Sequence, residues 1–259
     1  MLNWREKEID LIATIKQNSR NYRIDLSKAL DISIPLRGKA SNVNAWYVDS
    51  PKIEPHISDG RKVKVSEGAS VNFNNIEFNP HAHGTHTECV GHITKDFYSI
   101  NKHLKKFFFL AEVVTIAPEK KENDFVISKK LMEYVLEGKN CDALVIRTLP
   151  NTKGKLTRQY SHTNPPYISE EAMRFLVSKK VEHLLIDLPS VDKEKDNGTL
   201  ASHKAFWQIG GKIRTQATIT EFIYVKNSIK DGPYLLNLQV APFENDASPS
   251  RPVLYKILN

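Results

Sequence analysis

Two short and nearly continuous apolar runs, Ala143-Leu144-Val145-Ile146-Arg147-Thr148 and Leu184-Leu185-Ile186-Asp187, constrain the fold of this chain more than any other feature. A strand that is apolar throughout, rather than at every second position, has to be covered on both faces. Between the runs lie a loop through Pro165-Pro166 and then Ser169, whose hydroxyl can cap the free amides of a helix over residues 170–180. Strand, helix and strand at that separation predict a parallel crossover unit.

The flanking segments extend this pattern. Phe107-Phe108-Phe109-Leu110 with Val113-Val114-Thr115-Ile116 reads as a strand, and Ser128 heads a helix that runs through Leu136 and is ended by Gly138. Downstream, a helix is predicted near residues 202–209 and strands at residues 218–225, 234–241 and 253–258. Residues 71–78 are strand-like, residues 22–35 read as irregular or edge strand, and residues 42–68 form a long loop punctuated by Pro51, Pro55, Gly60 and Gly68. At residues 6–17, Ile9, Ile12 and Ile15 fall at helical spacing with Leu11 and Ala13. Residues 1–21 are therefore read as an N-terminal helical extension ahead of a single domain, residues 22–259.

Composition narrows the partners. With 40% hydrophobic and 26% charged residues the chain can bury a substantial core. The longest apolar run, residues 107–118, is broken by Glu112, and no leader pattern is present, so a cytoplasmic protein without a membrane partner is expected. The formal charge of +7 is scattered over pairs such as Lys105-Lys106 and Lys179-Lys180. Such pairs are a solvated surface, and no nucleic-acid motif accompanies them. A small-molecule substrate is the expected partner. Two cysteines, Cys89 and Cys141, are too few for a disulfide framework.

The chemistry concentrates in His81-Ala82-His83-Gly84-Thr85-His86-Thr87-Glu88-Cys89-Val90-Gly91-His92, with four imidazoles and a carboxylate in one segment. Imidazole nitrogen and carboxylate oxygen are ligands for zinc, manganese or iron. Further along, strand alternation places Glu221 on an apolar face with Ile219 and Ile223. A carboxylate there must be neutralised, hydrogen-bonded or bound to a cation, either a metal ion or, in a salt bridge, Lys212 or Arg214. His203, ahead of Phe206 and Trp207, is by itself a packed histidine as readily as a ligand, and Asp187 to Asp192 follow a strand end, where carboxylates also cap turns. Cys89 is read as a buried thiol behind the loop, with a Cys-His nucleophile as the alternative. Trp46, with Tyr47 and Trp207, is a candidate aromatic wall for substrate.

Gly84-Thr85-His86, Glu88 and His92, with Ser190-Val191-Asp192, His203 and Glu221 downstream, resemble the cyclase-like metal-dependent hydrolases, a family that includes bacterial kynurenine formamidase and carries the signature H-x-G-T-H-x-D-x-P-x-H. Asp25-Leu26-Ser27, Val145 to Thr148 and Ser248-Pro249-Ser250-Arg251-Pro252-Val253 extend the likeness. The resemblance implies an α/β fold with a mixed sheet of the swivelling β/β/α type, usually in homo-oligomers (dimer or tetramer) whose neighbours help enclose the site. It implies one or two divalent ions, zinc or manganese, held by His86 and Glu88 and by Glu88 with His203 and Glu221, with His92 as the proton-transferring residue. The implied reaction is hydrolysis of a C–N amide bond in a formamide, lactam or cyclic amide by metal-activated water, and a non-catalytic binding protein on the same scaffold is the alternative. The signature's first histidine is replaced by Ala82, its aspartate by Glu88 and its proline by Val90. In an extended segment His81 and His83 would point away from the site, so a bend must bring one of them round, and His81 is the candidate.

Overall fold

The computed structural model describes residues 10–17 and 19–258. Eleven strands form one mixed sheet: β1 (Ile12–Gln17), β2 (Arg20–Asp25), β3 (Leu30–Asp31), β4 (His86–Glu88), β5 (Phe108–Ile116), β6 (Ala143–Thr148), β7 (His183–Ile186), β8 (Thr218–Glu221), β9 (Gly232–Asn237), β10 (Ala247–Pro249) and β11 (Val253–Leu258). Their spatial order is β1-β2-β11-β9-β5-β6-β7-β8-β4-β10, with β3 beside β11. Helices α1 (Ile100–His103), α2 (Lys129–Val135), α3 (Glu170–Ser178) and α4 (Ala201–Trp207) complete the fold.

The four central strands β5 to β8 run parallel, as the apolar runs require. Their pleat sends alternate residues to opposite faces. Val114, Ile116, Leu144, Ile146, Leu184 and Ile186 pack under α2, α3 and α4 through Met132, Met173, Leu176 and Phe206. Ala111, Val113, Ala143, Val145 and Leu185 pack on the other face with Ile100, Leu104 and Ile229. The serines act as caps: Ser128 accepts from the Leu131 amide and Ser169 from the Ala172 amide. No helix among the described residues is long and apolar enough to cross a membrane.

Three expectations need correction. Residues 1–9 of the expected N-terminal extension, and with them the start of the helix expected over residues 6–17, lie outside the described residues, and residues 12–17 form a strand, β1, paired antiparallel with β2. Ile12, Thr14 and Ile15 are β-branched and favour extended backbone, and Ser19 in the left-handed conformation helps turn the chain into a hairpin. β2 then pairs with β11, so the expected boundary at residue 21 falls inside a strand of the main sheet. Secondly, the strand expected over residues 218–225 ends at Glu221, because Phe222 adopts a φ of 55° and breaks the pleat. Thirdly, the loop over residues 42–68 contains strands: Lys52–Pro55 pairs with Asn74–Glu77, and Ile57–Ser58 with Arg61–Lys62.

A buried ion pair lies where β6 and β7 end. The Asp187 carboxylate, 1% exposed, accepts from the Thr148 amide and hydroxyl and from Lys155 Nζ at 2.6 Å. This carboxylate ties two strand ends together and takes no part in the histidine cluster. Removing one member strands the other charge in the interior, so Lys155→Met should cost about 3–5 kcal/mol in urea unfolding. Exposed Lys153→Met should leave the midpoint near that of the parent.

Candidate metal centre

The centre is built around β4, three buried residues held between β8 and β10. Residues two apart on a strand share a face, so His86 and Glu88 project together while Thr87 turns away to hydrogen-bond Thr220. The antiparallel register sets His86 opposite Glu221, with their side chains meeting at 3.5 Å between Nε2 and Oε2. α4 adds His203, whose Nε2 lies 3.1 Å from Glu88 Oε1 and 3.9 Å from Glu221 Oε1. A short 3-10 turn after β4 brings His92 back over Glu88, with Nε2 3.8 Å from Oε2.

His81 arrives by a turn. The Asn79 carbonyl accepts from the amides of Ala82 and His83, and the Asn79 side chain accepts from the His81 amide. This bend directs His81 Nδ1 to within 3.1 Å of Glu88 Oε2. His83 does not join the cluster: its Nδ1 accepts from the Asn79 amide and its Nε2 donates to the Asp49 carbonyl. The segment 42–49 grips the turn from behind, because the Asn42 amide group donates to the His83 carbonyl, the Ala45 amide to the Ala82 carbonyl and the Trp46 indole to the His81 carbonyl.

Burial gives these contacts their electrical character. Burial disfavours charge on His81, but Asp246 and Glu88 outweigh it and hold its pKa up at about 10. His203 is buried too, and Asp192 with Glu88 raises it likewise to about 10. Burial opposes ionisation of Glu88, yet the imidazoles of His92, His203 and His81 drive its pKa well below the usual carboxylate value.

Two buried atoms in the cluster, His86 Nε2 and Glu88 Oε2, have no hydrogen-bond partner; the 3.1 Å approach of His81 to the latter is poorly aligned for one. The His86 case is decisive chemically. Its Nδ1 lies 3.0 Å from the Gly84 carbonyl, which can only accept, so Nδ1 carries a proton and Nε2 is the ring nitrogen turned into the cluster. Nε2 faces a carboxylate oxygen of Glu221 with no hydrogen bond made, and a cation between the two, with Nε2 unprotonated, would satisfy both. Two groups place their ligand atoms within 4.8 Å of one another: His86 with Glu88 and Glu221, and His81 with Glu88 and His92. The residues therefore fit a divalent ion.

The remaining candidates sort by their contacts. Arg214 donates to the carbonyls of Phe206 and Val181, so it is not the counter-ion of Glu221. Trp207 is core, with its indole on the Ala217 carbonyl. Cys89 is buried with its thiol on the Tyr98 carbonyl, and burial pushes its pKa up to about 11, which is unsuited to a nucleophile. Asp192 does more than cap a turn: it accepts from the amides of Ser202 and His203 and from His203 Nδ1 at 2.6 Å. Asp246, which sequence reasoning missed, meets His81 Nε2 at 2.8 Å and His92 Nδ1 at 3.4 Å. It stands apart from any motif, and only its proximity to the Ser248 to Val253 block hinted at it.

Comparison with known proteins bears on the family and the fold. The family model described as "Putative cyclase" matches residues 24–193, well over half of the chain and ending before His203 and Glu221. Kynurenine formamidase of Bacillus cytotoxicus is 28% identical over 230 residues, covering 88% of this chain and 97% of that protein. The Bacillus cereus enzyme of the same name is 26% identical over 236 residues, covering 89% and 99%. Among solved structures, one described as a "predicted metal-dependent hydrolase from Bacillus stearothermophilus" superposes with a TM-score of 0.63 at 18% identity, over 88% of this chain and 98% of that one. An isatin hydrolase bound to thioisatinate gives 0.62 at 16% identity, over 89% and 93%. With its mixed α/β sheet and its histidine motif on β4, the chain belongs to the cyclase family.

Proposed function

We propose that the protein is a metal-dependent amidohydrolase that cleaves a C–N bond in a small formamide, lactam or cyclic amide. One observation carries the reading: the buried His86 Nε2, with no hydrogen-bond partner, faces the Glu221 carboxylate beside the buried, partly unpaired Glu88. His81, His86, Glu88, His203 and Glu221 would hold one or two ions, and the ligand set suits zinc or manganese. An ion held there would lower the pKa of a bound water to about 7 and would polarise a carbonyl. The kynurenine formamidase and isatin hydrolase relatives support an amide substrate.

The chain's own groups then have distinct tasks. His203 and His81 each present one ring nitrogen to Glu88 while a carboxylate holds the other, Asp192 and Asp246 respectively. His92, about one-third exposed at the mouth of the cluster, delivers a proton to the leaving nitrogen. Trp46, anchored on the His81 carbonyl, has a fixed ring orientation beside the turn and serves as a wall for substrate. Homo-oligomer formation belongs to the same reading, supported by the outward apolar side chains of Ile57, Val71, Phe73 and Ile76.

Elemental analysis of the purified protein should find one or two divalent ions per chain, and a panel of N-formyl, lactam and cyclic imide compounds should contain a substrate whose hydrolysis stops with chelator and returns with zinc or manganese. Absence of bound metal would overturn the reading, and metal without turnover on any class would favour a binding protein. His92→Ala should lower turnover by about 10²–10⁴-fold with near-normal metal content. Unchanged turnover would remove His92 from the mechanism. His86→Ala and Glu221→Gln should instead deplete the metal.

The raised pKa values of His81 and His203 give a pH dependence. Their protonated contacts stabilise the metal-free protein fully below the unfolded value of about 6.5, and that stabilisation is lost as pH rises towards about 10. A metal must displace the same protons. Thermal midpoints in chelator should therefore fall across this window, while zinc affinity measured by calorimetry rises and protons are released on binding.

A further inference from the structure

Asp246 sits in the loop entering β10, and its carboxylate oxygen Oδ2 reaches two rings at once, His81 Nε2 at 2.8 Å and His92 Nδ1 at 3.4 Å. The opposite edges of the same rings face one oxygen of Glu88, with His81 Nδ1 at 3.1 Å and His92 Nε2 at 3.8 Å. The rings are stacked, with centroids 4.2 Å apart and planes 27° from parallel. Two imidazoles thus span the gap between a buried carboxylate and a half-buried one. We propose that Asp246 is a positioning residue that locks His81 and His92 into one unit, holding their outer nitrogens so that both inner nitrogens face Glu88.

The need for such a lock follows from where the two rings originate. His86 is oriented by its own strand, since β4 fixes its direction and the Gly84 carbonyl takes its Nδ1 proton. His81 comes from a turn and His92 from a 3-10 turn, and neither has a strand pleat to aim its side chain. A histidine that ligates a metal usually gives its second ring N–H to a carboxylate, which fixes the tautomer and the ring plane. Asp192 does this for His203, and Asp246 is the matching group on the other side of Glu88. Asp246 is placed by main-chain contacts independent of its carboxylate: its carbonyl accepts from the Cys89 amide, and the Asn245 carbonyl accepts from the Ile100 amide. The side chain is therefore free to be altered without undoing the loop.

The inference rests on the metal-centre reading of this site. Its test compares the parent protein with Asp246→Ala, Asp246→Asn and, as a control on the same loop, Glu244→Gln, whose side chain meets Asn101, Lys102 and Ser99, none of them in the histidine cluster. Zinc affinity is measured by competition with a chromophoric chelator, and the visible absorption of bound cobalt(II) reports ligand geometry. Asp246→Ala should weaken zinc by about 10–100-fold and alter the cobalt spectrum, Asp246→Asn should recover part of both because its amide oxygen still accepts, and Glu244→Gln should match the parent. Zinc binding by Asp246→Ala within about twofold of a tightly binding parent, or equal weakening by Glu244→Gln, would overturn the inference alone. A parent that binds neither ion would overturn the metal centre and the inference with it.

Discussion

The pairing of β4 with β8 is the contact on which the rest of the site depends. Three residues of β4 meet Ile219, Thr220 and Glu221 in antiparallel register, and that register puts an imidazole directly opposite a carboxylate. A slip by one residue would turn every side chain to the other face. Both edges of β4 are occupied, since β10 pairs on its far side, so the strand cannot shift without breaking two ladders. A segment too short to be stable alone is thereby held as rigidly as the central strands.

Such rigidity has an electrostatic purpose. Glu88 and Glu221 are carboxylates with almost no access to water, and isolated charges in that position would be expelled or neutralised. The fold surrounds them with imidazoles and backs two of those imidazoles with further acids, Asp192 and Asp246. Negative and positive groups alternate through the cluster, which makes burial tolerable. Carboxylates and imidazoles facing one another in this way are also the donor set that a divalent cation takes.

Much of this was legible along the chain. The apolar runs specified parallel strands buried on both faces, and the hydroxyls of Ser128 and Ser169 marked helix starts, because each of those signals is local. His86, Glu88, His203 and Glu221 were readable through their chemistry and the family resemblance, and the turn at Asn79 explains how His81 takes up a place that its position in sequence would deny it. Long-range pairing was not legible. β1 imitates a helix in its isoleucine spacing, and what makes it a strand is β2, itself held by the distant β11. Asp246 was hidden for the same reason, since it approaches His81 only because β10 folds back onto β4, and no residue near it in sequence carries a metal-binding pattern.

The grip of segment 42–49 on the turn has a consequence for substitution at position 82. Ala82, at the place of the signature's first histidine, is fully buried, and the carbonyls of His81, Ala82 and His83 are each engaged by that segment. Moving the donor back to position 82 would require a cavity for a bulky ring and a different path for the backbone at the same time. Neither change helps without the other, so single substitutions lead away from a working site. The imidazole at position 81 and the segment that grips its turn are in this sense one unit, and a donor at position 82 would need both to be rebuilt.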